Sequence, residues 1–473
     1  MRLRLNVCLS VLAAICLSAV SVLAGGPLVV GGPNFGVDGQ PFTWDPAKMP
    51  IQYRVDPGPM AVSPSGAVVI DNAGGLQRVQ NMFKVWQSVS TASISFSNSG
   101  AMSPAGSYTG GDLSTVQQFN DVIKSCQSGV QNPIIFDANG TLMSGLGLPA
   151  EIIGFTSGCA LDATTGHLTG ALIVMNGVFQ DGVNTPSSSP PNFELTVNEF
   201  DEAITHEIGH FSGLGHSQIN VDLLSNPTFP CEVDRLAGLP LMFPEELCQA
   251  RKDAGLPILS PDDVSMISSL YPNPAAYASN YGTISGTVLF SDGVSQVQGV
   301  NVIARLVDDQ GTPQDESRRV AVSSISGYLF TGNPGQSVTA NMPDPNEPNT
   351  GGDPDGTRNP QRIGYYRIAV PPGTYTVEVE AIFPSFVSDS GIGPLSPPVA
   401  LPGNVPKFWN KNSSAFDFPL QRDTITISPG DNIQGIDIIL NNTPPRFDQF
   451  EDSGAVFDLP LPLPLLGSDE VRG

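Results

Sequence analysis

The sequence predicts an α+β domain, with a mixed sheet and one long helix, followed by an all-β sandwich. Three observations lead there. Strand-like alternation and helix-like spacing intermix as far as about Pro272, the pattern of helices packed on a sheet. Beyond Tyr271-Pro272 only short β patterns occur, separated by Gly, Pro and Asp turns. At 473 residues the chain also exceeds the size at which a single hydrophobic core keeps growing.

The elements follow in chain order. Arg2 and Arg4 precede an apolar run that ends at the small residues SVLA before Gly25, so residues 1–24 read as a cleaved secretory signal peptide, with a membrane anchor as the competing reading. No later segment is continuously apolar over such a length, and no membrane span is expected in the mature chain. Residues 25–41 are a loose Gly/Pro-rich lead-in. The first domain is expected over 42–275. Ile51, Tyr53 and Val55 alternate in MPIQYRVD and predict a strand, and Leu76, Val79, Phe83 and Trp86 recur at helical spacing and predict a helix packed on a sheet. Further strands are expected at Ala92–Phe96, Asn132–Gly140 and Gly170–Phe179. TVNEFDEAITHEIGHF places Val197, Phe200, Ile204, Ile208 and Phe211 on one helix face, with Thr196 and Glu199 as a capping box.

The second domain is expected over 283–442, from TISGTVLF, VNVIARLV, YYRIAV, TYTVEVEAI and GIDIIL, with no amphipathic helix after about residue 272. A loop insertion is expected near 340–362; its Asp residues could hold calcium, although solvated turns explain them as well. Residues 443–473 form an acidic, Pro-rich tail to which no fold is assigned.

Charge excludes one class of partner. The formal net charge is -24; removing two Arg with residues 1–24 leaves 19 basic against 45 acidic residues, or -26. A polyanion needs a basic face, so nucleic acid is not a partner. Cys8 and Cys16 leave with the signal, and Cys126, Cys159, Cys231 and Cys248 remain. None forms a C-x-x-C, and an even number in an exported chain predicts two disulfides. Of the three possible pairings, Cys126 with Cys159 and Cys231 with Cys248 close moderate loops and are favoured.

HEIGHFSGLGHS, from His206 to Ser217, holds three of the four histidines. His206 and His210 stand one turn apart, about 200° around the helix from Ile204 and Ile208 at roughly 100° per residue, and so lie off the apolar stripe. Two imidazoles so spaced can bind one zinc, while Glu207 can reach water at the metal without being a ligand. Gly213 and Gly215 allow a tight exit from the helix that returns His216 as third ligand. Three neutral imidazoles leave one position for water, and Glu207 would act as base in peptide hydrolysis.

The motif matches HExxHxxGxxH, and with Ser217 behind it the sequence resembles the matrixin branch of the metzincin zinc metallopeptidases. The resemblance covers about residues 42–272. It implies a metzincin-like catalytic domain in which the mixed sheet carries an active-site helix, and it makes PLMFP the methionine turn, with Met242 as a support beneath the histidines. It also implies that GALIVMNGVF is the edge strand that aligns an extended protein or peptide substrate by strand addition, and that LSPDDVSMISSLYP is the closing helix. A Cys231–Cys248 bridge would fix the loop flanking the methionine turn. The chain departs from the family at three places. Pro244 stands where some branches carry a metal-facing Tyr, His167 alone remains for a second zinc, and no Cys in residues 25–125 could latch a zymogen. One catalytic Zn(2+) is therefore expected. The β domain resembles carboxypeptidase-regulatory or prealbumin-like sandwiches, chiefly through PPGTYTV. The implied protein is a secreted or periplasmic endopeptidase. The competing expectation is an extracellular binding protein with a structural zinc and a functional β-sandwich; the sequence leaves the oligomeric state open.

Overall fold

The computed structural model describes all residues except 1–25, 32–36, 38, 163, 186–192, 226–228, 330–359, 383–398, 446–467 and 473. The expected signal peptide and most of the expected insertion lie outside the described residues, apart from a short 3-10 turn at Pro360–Arg362. The fold is mixed α/β, with several sheets and few helices. Among the described residues no helix is long and apolar enough to cross a membrane.

The first half contains β1 (Ile51–Val55), α1 (Asn72–Gln87), β2 (Phe96–Ala101), α2 (Val116–Gln127), β3 (Pro133–Asp137), β4 (Ile152–Asp162), β5 (His167–Asn176), α3 (Val197–Phe211) and α4 (Pro261–Leu270). The second contains β6 (Gly282–Leu289), β7 (Asn301–Leu306), β8 (Ala321–Ile325), β9 (Tyr365–Val370) and β10 (Gly373–Glu380), and a last strand, β11, spans Ser468–Arg472. The large sheet has the order β11-β4-β5-β3-β1-β2, with Thr43–Trp44 also paired to β5. β5, β3, β1 and β2 run parallel, whereas β4 is antiparallel to β5 and β11 is antiparallel to β4.

Side-chain patterning explains why these segments settle here. Ile51, Tyr53 and Val55 point inward from β1, and α1 covers that face with Val79, Met82, Phe83 and Trp86, with the Tyr53 and Phe83 rings stacked at 4.1 Å. Asp71 caps α1 by accepting from Gly74 N at 2.8 Å. Trp86 Nε1 donates to Thr205 O at 2.7 Å and joins α1 to α3 inside the core. Asp56, beyond β1, is fully buried. Desolvation is the main cause that pushes its carboxyl up to about 7, assisted by the Asp112 charge and opposed by hydrogen bonds such as that from Gly58 N at 2.9 Å.

In the second half, β8, β7 and β10 form one antiparallel sheet, extended by Lys407–Phe408 and Ile425–Ile427, while β9 and β6 form another with Asn432–Ile433 and Ile438–Ile439. Ile284 and Val288 from the second sheet share one apolar cluster with Val302, Val377 and Val379 from the first. The two halves meet through buried and half-buried polar bonds. Asn301 Nδ2 donates to Gln218 O at 2.7 Å, Arg319 pairs with Asp234 at 2.7 Å, and Ser265 Oγ donates to Ala369 O at 2.5 Å.

Several expectations need correction. β2 begins at Phe96, because Ala92 forms an isolated bridge with Pro272. GALIVMNGVF is no edge strand, since β5 is hydrogen-bonded on both sides, to β4 and to β3. β4 lies outside it, and neither β4 nor α2 was expected. The lead-in is less loose than its composition implies: Pro27 bridges Leu214 and Val30 bridges Pro41. The segment assigned no fold contributes β11. After residue 272 a seven-residue helix occurs at Pro274–Asn280, but it buries none of its residues.

Candidate metal centre

α3 carries two of the three histidines, and both of its ends are specified locally. Thr196 Oγ1 accepts from Glu199 N at 3.2 Å, and Glu199 Oε2 accepts from Thr196 N at 2.7 Å, so the capping box closes. At the other end Leu214 N bonds Gly209 O at 3.0 Å and Gly213 N bonds His210 O at 2.8 Å, the two bonds of a Schellman stop. Gly213 occupies φ 91°, a conformation that suits glycine. The last carbonyls are also satisfied, because Trp44 Nε1 donates to Phe211 O at 2.7 Å and Tyr271 OH to Ser212 O at 2.6 Å. Every residue from Glu202 to Phe211 is buried, so the face opposite the apolar stripe is covered too.

The stop turns the chain back toward the helix. Ligand nitrogens of His206, His210 and His216 all lie within 4.8 Å of one another, and they form the one such group of metal-ligand side chains among the described residues. Ring centroids are 4.6 Å apart for His206–His210, 4.7 Å for His210–His216 and 5.2 Å for His206–His216. His206 Nδ1 lies 2.7 Å from Leu241 O and His210 Nδ1 2.8 Å from Leu214 O. A carbonyl can only accept, so each Nδ1 holds the proton and each Nε2 presents a lone pair. Those two Nε2 atoms approach to 2.8 Å with no proton between them, an arrangement complementary to a cation. Burial pushes His206 down to about 4; it also pushes His210 well below the usual histidine range, helped by the neighbouring His206 and His216. Both are therefore neutral at pH 7, the protonation state in which imidazole ligates a metal.

Comparison with family models, with curated proteins and with solved structures finds no match for the chain. The chemistry of the centre thus stands on its own residues.

Glu207 is fully buried on the same helix. Thr156 Oγ1 lies 2.6 Å from its Oε2 and 2.9 Å from its backbone carbonyl. Gly154, two residues earlier on β4, brings backbone close: a Cβ there would stand 3.2 Å from Glu207 Cγ. Neither β4 residue was identified from sequence, although both touch the carboxylate's side chain or hold it.

Met242 is fully buried and packs directly on the helix between the first two histidines, since a Cβ at Gly209 would meet its Sδ at 2.3 Å. Its turn is held by a residue that sequence reading passed over. Asp263 of α4 accepts from Leu241 N at 2.8 Å and from Met242 N at 3.1 Å, which fixes the Leu241 carbonyl that orients His206. On the other side Ser217 N donates to Met242 O at 2.8 Å. Arg251 braces the surrounding loop, donating to the carbonyls of Leu236, Leu239, Ala237 and Pro257. Cys231–Cys248 closes that loop and Cys126–Cys159 ties α2 to β4, the pairings favoured from loop length. A cavity of about 50 Å³ beside His206 is lined by Leu239, Leu241 and Phe243 together with Glu202 and Glu246.

Two distant segments complete the surroundings. Residues 26–28 lie antiparallel to 213–215, with Leu28 N donating to Gly213 O at 2.8 Å and Gly215 N to Gly26 O at 2.9 Å. Ser323 N from the second half donates to the Asp262 carboxylate at 2.7 Å, and Ser217 Oγ, next to His216, donates to it at 2.5 Å. Asp262 is fully buried, and desolvation followed by the Asp263 charge pushes it up to about 7. His167 lies apart from this arrangement on β5, its Nδ1 3.1 Å from Thr43 O.

Proposed function

We propose that the chain is an exported zinc-dependent endopeptidase of metzincin type, nearest the matrixin branch, whose second half is a β-sandwich. The observation that carries this reading is the convergence of three buried imidazoles, two of them oriented by carbonyls so that their lone pairs meet, beside a buried carboxylate on the same helix. Three histidines with a free coordination position are a donor set of catalytic zinc centres, and a methionine turn fixed to α3 supports the family assignment. The two disulfides support export into an oxidising compartment. The Asp residues considered for calcium lie in the insertion, outside the described residues.

When bound, zinc supplies Lewis acidity, making water nucleophilic near neutral pH and polarising a peptide carbonyl. The chain's own groups do the rest. His206, His210 and His216 would hold the ion, and Nδ1–H bonds to Leu241 and Leu214 keep two of the rings in the ligating tautomer. Glu207 takes the proton of the attacking water and returns it to the leaving amine, while Thr156 holds the carboxylate between those steps. Burial excludes competing solvent and strengthens each of these interactions.

One observation favours a second reading, a binding protein with a structural metal. His206, His210 and His216 are only 2%, 1% and 2% exposed, which is closer to a closed site than to an open cleft. The two readings part on Glu207→Gln. An endopeptidase keeps its equivalent of zinc and loses cleavage of denatured casein, whereas casein left intact by both wild type and variant under full metal loading supports the binding protein. Cleavage unchanged by the substitution would remove Glu207 from the mechanism.

A further inference from the structure

Without β11, β4 would be the outer strand of the large sheet, and it packs against α3, the helix of His206 and His210. An exposed sheet edge presents unpaired N–H and C=O groups and accepts an extended peptide by strand addition. In this chain the edge is taken. β11 pairs antiparallel along it, with Ser468 opposite Ser157, Asp469 opposite Thr156, Glu470 opposite Phe155, Val471 opposite Gly154 and Arg472 opposite Ile152.

The register decides what this pairing means. Thr156 and Gly154 are the β4 residues that hold and touch Glu207. Asp469 and Val471 are their partners, so the β11 backbone runs one strand spacing, about 4.8 Å, beyond the residues that support the carboxylate. β11 also packs against α3 itself. Reach presents no obstacle: 22 residues, 446–467, separate Pro445 from Ser468, and a chain can extend about 3.3–3.6 Å per residue.

We propose that residues 468–472 occupy the position of an extended substrate at β4, so that the chain covers its own cleft and the strand must leave before a substrate strand can enter. The consequence for activity rests on the peptidase reading above; the occupancy itself does not. A competitor carried on the same chain acts intramolecularly, at an effective concentration that suppresses weakly binding peptides by about tenfold.

The test uses zinc-loaded full-length chain, a deletion of 468–473 and the single substitution Val471→Pro, which removes a backbone donor without shortening the chain. Hydrogen exchange reads the amides of 152–157, and cleavage of a fluorogenic peptide panel reads access. Both variants are expected to lose protection across 152–157 and to raise kcat/KM tenfold or more, and the synthetic peptide SDEVRG is expected to inhibit the deletion variant. Unchanged protection at 152–157 overturns the occupancy. Lost protection with unchanged cleavage by an active enzyme overturns the self-covering role. If no form cleaves any peptide while holding one equivalent of zinc, the peptidase reading fails and hydrogen exchange alone decides where the strand lies.

Discussion

Two stretches far apart in sequence reach the surroundings of the histidine cluster in the same way, by antiparallel pairing of backbone. Residues 26–28 pair with 213–215, the turn that delivers His216, whereas residues 468–472 pair with 152–157, the strand that supports Glu207. The first is a brace and the second a cover. The brace bonds to the segment whose shape places His216; the cover bonds to an edge that is already fixed on its other side by β5. Identical hydrogen-bonding chemistry therefore has opposite expected consequences when removed. Losing the brace should loosen the metal, and losing the cover should admit substrate.

The largest test bears on what both segments surround. Glu207→Gln should lower peptide hydrolysis by about 100- to 10,000-fold, with or without β11, while metal analysis still finds one equivalent. Residual activity that rises on deleting β11 would assign the reaction to another group. Next, Asp263→Ala deprives Leu241 N and Met242 N of their acceptor and lets the carbonyl that orients His206 drift. Chelator competition should show zinc affinity down by about 10- to 100-fold, the usual effect of losing a group that orients a ligand. The cover should then separate from the brace: Val471→Pro should raise cleavage about tenfold and leave zinc affinity unchanged, because no ligand depends on β11. Leu28→Pro removes the donor to Gly213 O and should weaken zinc about fivefold, roughly one hydrogen bond of ~1 kcal/mol, without opening the cleft. An increase in peptide cleavage from Leu28→Pro would erase the distinction.

The smallest effect concerns pH and lies away from both segments. Burial raises the Asp56 carboxyl to about 7 in the folded chain from 3.8 in the unfolded one. The folded state therefore holds the proton more tightly, and its contribution is full below about pH 4, declines from there toward pH 7 and is lost above it. Thermal melts should show Asp56→Asn gaining stability relative to wild type at pH 8 and not at pH 4. An equal difference at both pH values would mean that Asp56 is ionised throughout.

Much of the centre was legible because it is written in side chains. The i, i+4 spacing of His206 and His210, the glycine at 213 and the Thr196–Glu199 box each correspond to one local geometry, and the structure has all of them. Ile51, Tyr53 and Val55 announced β1 for the same reason. The rest was hidden by the kind of bond involved. β4 is buried on both faces from Ile152 to Phe155 and carries Gly154 and Gly158, so it shows no alternation, and the edge was assigned to its more apolar neighbour β5. Brace and cover are joined by backbone groups that every residue possesses, and no periodicity reports them. Asp263 looked like an ordinary acidic residue in a helix's first turn; its bonds to Leu241 N and Met242 N depend on a turn twenty-odd residues away in sequence.

The junction of Ser217, Asp262 and Ser323 makes the two halves depend on each other. Ser217 follows the third histidine directly, and the carboxylate it bonds is shared with a backbone N–H from β8. Splitting the gene after residue 275 would leave Asp262 at a newly wetted face and unfasten the residue beside His216. The second half is in that sense a jig for the first, and exchanging it for another fold would mean rebuilding the turn that carries His216 as well.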